Sequence, residues 1–213
     1  MACCHCEGVE EEFNEAVARR QLRRYRRRGP KRTTRWLLEA IKQHGAEGKS
    51  FLDIGGGIGE IQHELAAAGV ARVTSVEASS AYQEMAREEA RAKGYLARAT
   101  YVHGDFVDAS RQIVPSDIVT LDRVICCYHD VDGLVSASAS RARRFYGVVF
   151  PRVAWWTRFG FRLIKFVQWV RRASFIPFLH PPARVEGLLA REGFDRTFHR
   201  TSLLWRVSLY ERL

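Results

Sequence analysis

The sequence lacks any uninterrupted run of about 18 apolar residues, the length that a membrane-spanning helix requires. Its first residues are cysteines, a histidine and acids, and a secretory signal peptide would instead show a basic and then an apolar stretch. These two absences lead us to expect a cytoplasmic protein whose five cysteines stay reduced. No internal repeat or low-complexity linker interrupts the 213 residues, so one domain with appended pieces is expected.

Acidic residues are absent between Arg19 and Arg35, a stretch that holds ten arginines and lysines. The net charge of the chain is +10, so this stretch accounts for the whole excess. The other 24 basic residues equal the 24 acids, and we expect a neutral body that carries one basic arm. The charge therefore does not indicate a surface that is cationic throughout.

The basic arm is predicted to form residues 1–30, ahead of a domain at 31–213. A Cys/His tip would precede a basic helix over 13–28, which Gly29-Pro30 would end. Thr33 or Thr34 is predicted to cap the helix that follows.

Strands and helices alternate from residue 50 onward, which is typical of a parallel sheet with helices on both faces. The predicted strands are 50–54, 72–76, 100–103, 118–121 and 147–150, and the predicted helices between and after them are 60–68, 81–93, 136–144 and 182–192. Two last strands, 196–199 and 205–210, have no helix between them and predict a hairpin with an antiparallel strand. We therefore expect a doubly wound α/β fold with a mostly parallel, seven-stranded sheet.

A glycine-rich loop follows the first predicted strand, where residues 51–59 read FLDIGGGIG. Glycine allows a sharp turn and a close backbone approach to a ligand, and the next helix would offer free N–H groups. The dinucleotide pattern G-x-G-x-x-G fails because Glu60 occupies its third glycine position. The spacing of Asp53, Gly55, Gly57 and Gly59 resembles motif I of class I methyltransferases, which use S-adenosylmethionine (SAM).

Acids at the ends of the next two strands strengthen this resemblance. Glu77 stands where a carboxylate would accept hydrogen bonds from both ribose hydroxyls of the cofactor. The resemblance further implies that Asp105 contacts the adenine amino group and that Asp53 lies near the methionine end. The carboxyl ends of strands are where open α/β sheets bind ligands. The alternative is a structural turn in which Glu77 and Asp105 only cap helices.

The loop after the fourth strand is where this fold faces the transferred methyl group. Residues 121–124 lack the N/D-P-P-Y/F sequence of enzymes that methylate base amines, and Cys126-Cys127 lacks the proline expected beside a cytosine-C5 nucleophile. Tyr128 and His129 are predicted to position or deprotonate the acceptor, unless His129 is only a surface histidine. The two cysteines are better explained as small packing residues.

An aromatic insertion covers about residues 152–180 and has basic residues at helical spacing. An amphipathic cover for the sheet, a lid over a hydrophobic substrate and a contact with a membrane surface all remain open.

The order of these pieces is similar to the magnesium-protoporphyrin O-methyltransferase group. The shared features are Phe13-Asn14 in the arm, Leu179-His180 before a helix that ends near Gly193-Phe194, and a last strand that closes on Tyr-Glu. The resemblance makes His180 a candidate at the mouth of the substrate site. The arginine-dense arm and the cysteine tip depart from that group.

The arm leaves several interpretations open. Its arginines surround most of the predicted helix, which could be simply solvated or could contact acidic substrates, anionic lipid or RNA. The tip holds Cys3, Cys4, His5 and Cys6, but no second ligand pair completes a zinc site, so no metal is predicted.

These observations predict a SAM-dependent methyltransferase acting on a small, hydrophobic or aromatic and anionic acceptor, with O-methylation preferred. SAM activates the methyl group itself, so alignment and exclusion of water matter more than a catalytic motif. The alternatives are an RNA methyltransferase that uses the arm and a non-catalytic protein that binds SAM on the same fold. No obligate protein partner is evident from the sequence.

Overall fold

The computed structural model describes residues 8, 10, 12–170 and 177–213, which form helices on both sides of one sheet. The helices are α1 (Glu15–Arg28), α2 (Arg32–Gln43), α3 (Glu60–Ala67), α4 (Ser80–Ala92), α5 (Phe106–Ala109), α6 (Val131–Ala139), α7 (Trp155–Val170) and α8 (Pro182–Arg191). The strands are β1 (Ser50–Ile54), β2 (Arg72–Glu77), β3 (Ala99–His103), β4 (Ser116–Asp122), β5 (Ala142–Pro151), β6 (Phe194–Thr201) and β7 (Trp205–Arg212).

The seven strands are ordered β3-β2-β1-β4-β5-β7-β6. The first five are parallel to their neighbours, and β7 pairs antiparallel with both β5 and β6. The predicted α/β fold and its C-terminal hairpin are thus confirmed. The order reverses between β1 and β4, and the crevice at such a reversal is where open α/β sheets bind ligands.

The core has one layer on each face of the sheet, because alternate residues of a strand point to opposite sides. Leu52, Val119 and Leu121 pack on one face with α6 and α8. Phe51 and Ile118 pack on the other face with apolar residues of α2 and α3. Burial of both faces explains why the central strands are almost continuously apolar.

The predicted helix at 136–144 is wrong in its bounds. The helix is α6, which starts at Val131 because the Asp130 side chain accepts the Gly133 N–H and caps it. The chain enters β5 at Ala142, which pairs with Ser116 of β4. Pairing with β4 therefore overrides the helical tendency of the alanine and arginines at 142–144.

The predicted threonine cap of α2 is also wrong. The helix begins at Arg32, after Lys31, so Thr33 and Thr34 lie in its first turn. Both threonines are buried, and their hydroxyls contact side chains that follow β4.

The basic helix α1 packs against the domain along one side. Its buried residues Ala18, Leu22 and Tyr25 contact Tyr82 and Met85 of α4. Three of its arginines form ion pairs with acids, namely Arg19–Glu15, Arg24–Glu60 and Arg26–Glu89. The arm therefore has a docked apolar side in addition to its charged, solvent-facing side.

The aromatic helix α7 does not cover the sheet. Only Thr157 of its residues is buried, and most of its large apolar side chains face solvent. Among the described residues, no helix combines the length and the apolar character needed to cross a bilayer. The Cys/His tip and Arg172 lie outside the described residues.

Candidate functional site

The glycine loop leaves β1 at the point where the strand order reverses. Gly55, Gly57 and Gly59 all have positive φ angles, of 59°, 58° and 81°, which residues with a Cβ rarely adopt. Gly56 has no such angle, but a Cβ there would lie 2.0 Å from Asp53 Oδ2. The loop therefore needs glycine at Gly56 as well, at a position that the motif spacing leaves variable.

Asp53 lies directly beneath this loop and is fully buried. Its carboxyl accepts hydrogen bonds from Thr120 Oγ1 at 2.8 Å and Gln62 Nε2 at 3.1 Å. Burial raises the pKa of Asp53 to about 7, against the effect of these two donors. Asp53 thus supports the loop from below while it also borders the cavity described next.

Glu77 joins the glycine loop to the start of α4. Its Oε2 accepts the Gly57 N–H at 2.8 Å, and its Oε1 accepts the Ser79 N–H at 3.0 Å. Burial raises the pKa of this carboxyl, although the backbone donors favour its ionised form. The carboxylate is held by backbone groups beside the loop, where hydroxyls of a ligand could also reach it.

Asp105 follows β3 and does cap a helix, as its Oδ1 accepts the Val107 N–H at 2.7 Å. The same carboxylate accepts the Tyr128 hydroxyl, at 2.9 and 3.0 Å from its two oxygens. Tyr128 is therefore tied to the acid that was predicted to contact adenine. This contact places its hydroxyl on the predicted cofactor side of the site.

A cavity of about 220 Å³ connects these groups. Asp53, Gly55, Gly57, Glu77 and Asp105 all line it, whereas Gly59 lies at the start of α3. Two residues from the arm, Phe13 and Gln21, complete one wall, and Gln21 Nε2 donates to the Tyr82 hydroxyl at 2.5 Å. The arm is therefore part of the site, which its composition alone did not indicate.

A charged group borders the cavity after β4. Asp122 accepts the Thr34 hydroxyl at 2.5 Å and pairs with Arg123 Nη1 at 2.9 Å. Arg123 has a φ of 66°, in the left-handed region, and its Nη2 donates to Thr33 Oγ1 at 2.5 Å. A side chain that folds back onto α2 in this way explains why the strained backbone is tolerated.

Lys31 borders the cavity beside this group. Burial lowers the pKa of its amine, and the charge of Arg123 lowers it further. No hydrogen bond or ion pair to its Nζ occurs within the described residues, so this amine is available to a ligand. Sequence reasoning missed Lys31, Asp122 and Arg123, although Lys31 closely follows the Gly29-Pro30 break in the arm.

The two predicted catalytic histidines stand apart from the cavity wall. His129 is exposed, and its ring packs edge-on against Phe178 at 5.3 Å between centroids. His180 Nε2 donates to the Tyr128 carbonyl at 2.9 Å, and burial lowers the pKa of its ring. His180 therefore holds the loop that carries Tyr128. Of the two cysteines, Cys126 is buried and Cys127 borders the cavity.

The residues fit the nucleoside that the sequence predicted. The cradle consists of the glycine loop, which has no side chains in the way of a ligand, and two carboxylates, Glu77 and Asp105, at the ends of neighbouring strands. Phe106 and Val76 supply apolar surface between these polar groups. Clefts of this kind, mostly apolar with a few convergent polar groups, are typical of cofactor sites.

Comparison with known proteins agrees with this fold. Residues 51–145 match the family model of the methyltransferase domain. No curated protein matches the chain in sequence. Among solved structures, the magnesium protoporphyrin IX methyltransferase of Synechocystis PCC 6803, with bound S-adenosylhomocysteine, has a TM-score of 0.75 at 18% identity and covers 98% of this chain and 100% of its own.

Two more structures share the fold at lower coverage. An O-methyltransferase family protein from Burkholderia thailandensis has a TM-score of 0.66 at 12% identity and covers 85% of this chain and 56% of its own. A geranyl diphosphate methyltransferase in complex with SAM has a TM-score of 0.67 at 13% identity, with 84% of each chain covered.

Residues 51–145, less than half of the chain, thus match a methyltransferase domain, and the sheet has the fold of these solved methyltransferases. SAM is accordingly the predicted cofactor, and the glycine loop and the strand-end acids are the predicted cofactor site.

Proposed function

We propose that the protein is a SAM-dependent methyltransferase that methylates an oxygen of a small, hydrophobic and anionic acceptor. The observation that carries this proposal is the amine of Lys31 in the wall of the cavity, which has no partner among the described residues, whereas Arg123 is paired with Asp122. An ammonium group without an ion-pair partner in a partly buried site attracts an ionised carboxylate or phenolate. Oxygen is therefore favoured over nitrogen as the methyl acceptor.

The apolar part of the wall suits a hydrophobic acceptor. Val124, Leu134 and Phe13 border the same cavity as the two cations. An acceptor that is already ionised needs no general base, which agrees with a site where both predicted histidines point elsewhere. SAM, when bound, supplies an activated methyl group, and the task left to the chain is alignment and exclusion of water.

Each residue then has a definite task in this proposal. Glu77 and Asp105 bind and orient the nucleoside, and Asp53 keeps the glycine loop in place from below. Lys31 orients the negative end of the acceptor. Phe13 and Gln21 of the arm exclude water from the cavity.

The test offers small-molecule extracts, first separated into fractions of acids, phenols and amines, as acceptors of labelled methyl from SAM. We expect labelled product from the acceptor fractions of acids or phenols. A product that is a methyl ester would release labelled methanol in mild alkali. Label on amines alone would contradict oxygen as the acceptor atom. SAM binding without any S-adenosylhomocysteine release would favour the non-catalytic alternative.

Lys31 offers a sharper test once an acceptor is found. Lys31→Met should raise KM for the acceptor about tenfold, because a hydrogen bond to a charged group contributes roughly 1.5–3 kcal/mol. Lys31→Arg keeps the charge and should keep most of the affinity. Because the pKa of Lys31 is lowered, KM should also rise with pH below the usual range of lysine titration. An unchanged KM in Lys31→Met would contradict a role for Lys31 in binding the acceptor.

An RNA acceptor is the second candidate, favoured by the arginines of α1 that face solvent, such as Arg20, Arg23 and Arg27. Binding to RNA would weaken steeply with salt, by a log–log slope of about 0.7 per phosphate contact. Activity on extracted RNA that is flat in salt, or absent, would eliminate this candidate.

A further inference from the structure

The outward side of α7 carries a continuous apolar row. Trp155, Phe159, Leu163, Phe166 and Val170 follow one another at intervals of three or four residues, which aligns them along one face of a helix. Each of these side chains is more than half exposed. The opposite side of the helix rests on the protein through Thr157.

The turn between β6 and β7 extends this row. Leu203 and Leu204 are also more than half exposed. The turn is attached to the start of α7, because Trp156 Nε1 donates to the Leu203 carbonyl at 3.2 Å and the Arg152 N–H donates to the Leu204 carbonyl at 2.8 Å. We call the row of α7 and these two leucines the apolar face. Its two parts are far apart in sequence and adjacent in space.

Charge of one sign accompanies the apolar face. Arg158, Arg162 and Lys165 are exposed and lie along one flank of the row on α7. The sequence has no acid between Asp132 and Glu186, so nothing in that stretch offsets these cations. Trp155 and Trp169 stand near the two ends of the helix, and tryptophan is the residue that concentrates at the boundary between lipid and water.

We propose that the apolar face docks on the surface of an anionic lipid bilayer, with α7 parallel to the membrane plane. An apolar row flanked by arginine and lysine is the pattern of helices that lie in the headgroup region. Anionic headgroups complement the cationic flank, and the apolar side chains reach the acyl boundary. A protein partner would require a matching acidic groove, whereas a bilayer accommodates a convex face of this kind.

The docking face connects to the catalytic side of the molecule. Lys165 lies 5.5 Å from the ring centroid of Phe178, whose N–H donates to the Cys126 carbonyl at 2.7 Å. The loop that continues through Cys127 and Tyr128 borders the cavity. Docking therefore sets the cavity close to the lipid surface.

The test is cosedimentation of the full chain with vesicles of phosphatidylcholine alone and of phosphatidylcholine mixed with phosphatidylglycerol. We expect binding to the mixed vesicles that weakens as salt rises. An apolar variant, Trp155→Ser with Phe159→Ser and Phe166→Ser, and a charge variant, Arg158→Glu with Arg162→Glu and Lys165→Glu, should each lose at least about tenfold in partitioning.

Matched controls separate this face from other surfaces. Val114→Ser changes an exposed apolar residue elsewhere, and Arg23→Glu with Arg27→Glu and Arg28→Glu reverses charge on the solvent side of the arm. Both controls should bind vesicles like the unmodified chain. All variants should keep the same SAM affinity, because none of the altered residues borders the cavity.

Three outcomes would overturn the proposal. The first is no binding of the unmodified chain to anionic vesicles. The second is an arm control that no longer binds vesicles together with a charge variant that still binds them. This result would assign the membrane contact to the arm. The third is a dimer in lipid-free buffer that the apolar variant abolishes, which would make the apolar face a contact between two copies of the chain.

Discussion

The conformation of the glycine loop depends mainly on two residues, Gly56 within the loop and Asp53 beneath it. Gly56 lies against the carboxyl of Asp53, and Asp53 in turn is held by Thr120 of the neighbouring strand β4. The loop is thus fixed by a contact between the first and fourth strands. The spacing of the motif indicated Gly55, Gly57 and Gly59. Gly56, however, is the glycine of the loop with the least room for a Cβ atom.

Gly56→Ala should destabilise the protein by about 1–3 kcal/mol, the usual cost of forcing an extra methyl group into packed surroundings. Its Cβ would overlap Asp53 Oδ2, and the loop or the aspartate must shift, which should also weaken SAM binding. Thermal denaturation and calorimetry measure the two effects. Gly187→Ala is the matched control, because a Cβ there meets open space on α8. It should leave SAM binding unchanged and raise stability by about 0.5–1 kcal/mol, because alanine favours a helix over glycine. Equal behaviour of the two variants would contradict the packing argument.

The buried Asp53 should make stability depend on pH. Its pKa is raised from the ordinary 3.8 to about 7, so the folded chain holds this proton more tightly than the unfolded chain does. The resulting stabilisation is complete at low pH and is lost as pH rises through this range. Asp53→Asn cannot ionise, so its stability should not fall in this way. As pH rises from about 4 to about 7, the variant should gain about 1 kcal/mol or more in free energy of unfolding relative to the unmodified chain. Chemical denaturation at several pH values measures the difference, and parallel pH profiles would count against it.

At the scale of elements, the sequence predicted best where a pattern is local. The strands β1 to β4 and the final hairpin follow from runs of apolar residues between turns. The helix at 136–144 and the threonine caps failed because strand pairing and contacts to Arg123 decide those positions. The exposure of α7 could not be predicted either, because an apolar helix has the same sequence pattern whether it is buried or exposed to solvent.

The docking of α1 is the element on which closure of the site depends. Leu22 is buried between the arm and the domain, while its neighbour Arg23 faces solvent. Leu22→Ala should weaken the docking by about 2–5 kcal/mol, because a buried leucine is truncated. We expect faster tryptic cleavage within α1 and weaker SAM binding, since Phe13 and Gln21 come from this arm.

Arg23→Ala is the control for this prediction and should leave the SAM affinity unchanged. Cleavage at the remaining arginines of α1 should then stay as slow as in the unmodified chain. Equal cleavage rates in Leu22→Ala and the control would mean that the arm is already undocked in solution.

At the scale of the whole molecule, the site joins pieces that only the folded topology brings together. The acids at the carboxyl ends of β1, β2 and β3 could be placed from the sequence because parallel strands end at the same edge of a sheet. Lys31 and Arg123 could not, because their place depends on α2 packing against the end of β4. Spacing along a chain carries no signal for such a contact between residues about 90 positions apart.

The most direct measurement is a calorimetric titration of the full chain and of Glu77→Gln with SAM. The fold and the site predict saturable binding at one site, weakened about tenfold or more in the variant, which loses the carboxylate but keeps its shape. Well-folded protein that shows no affinity for SAM, or equal affinity in both proteins, would contradict the account.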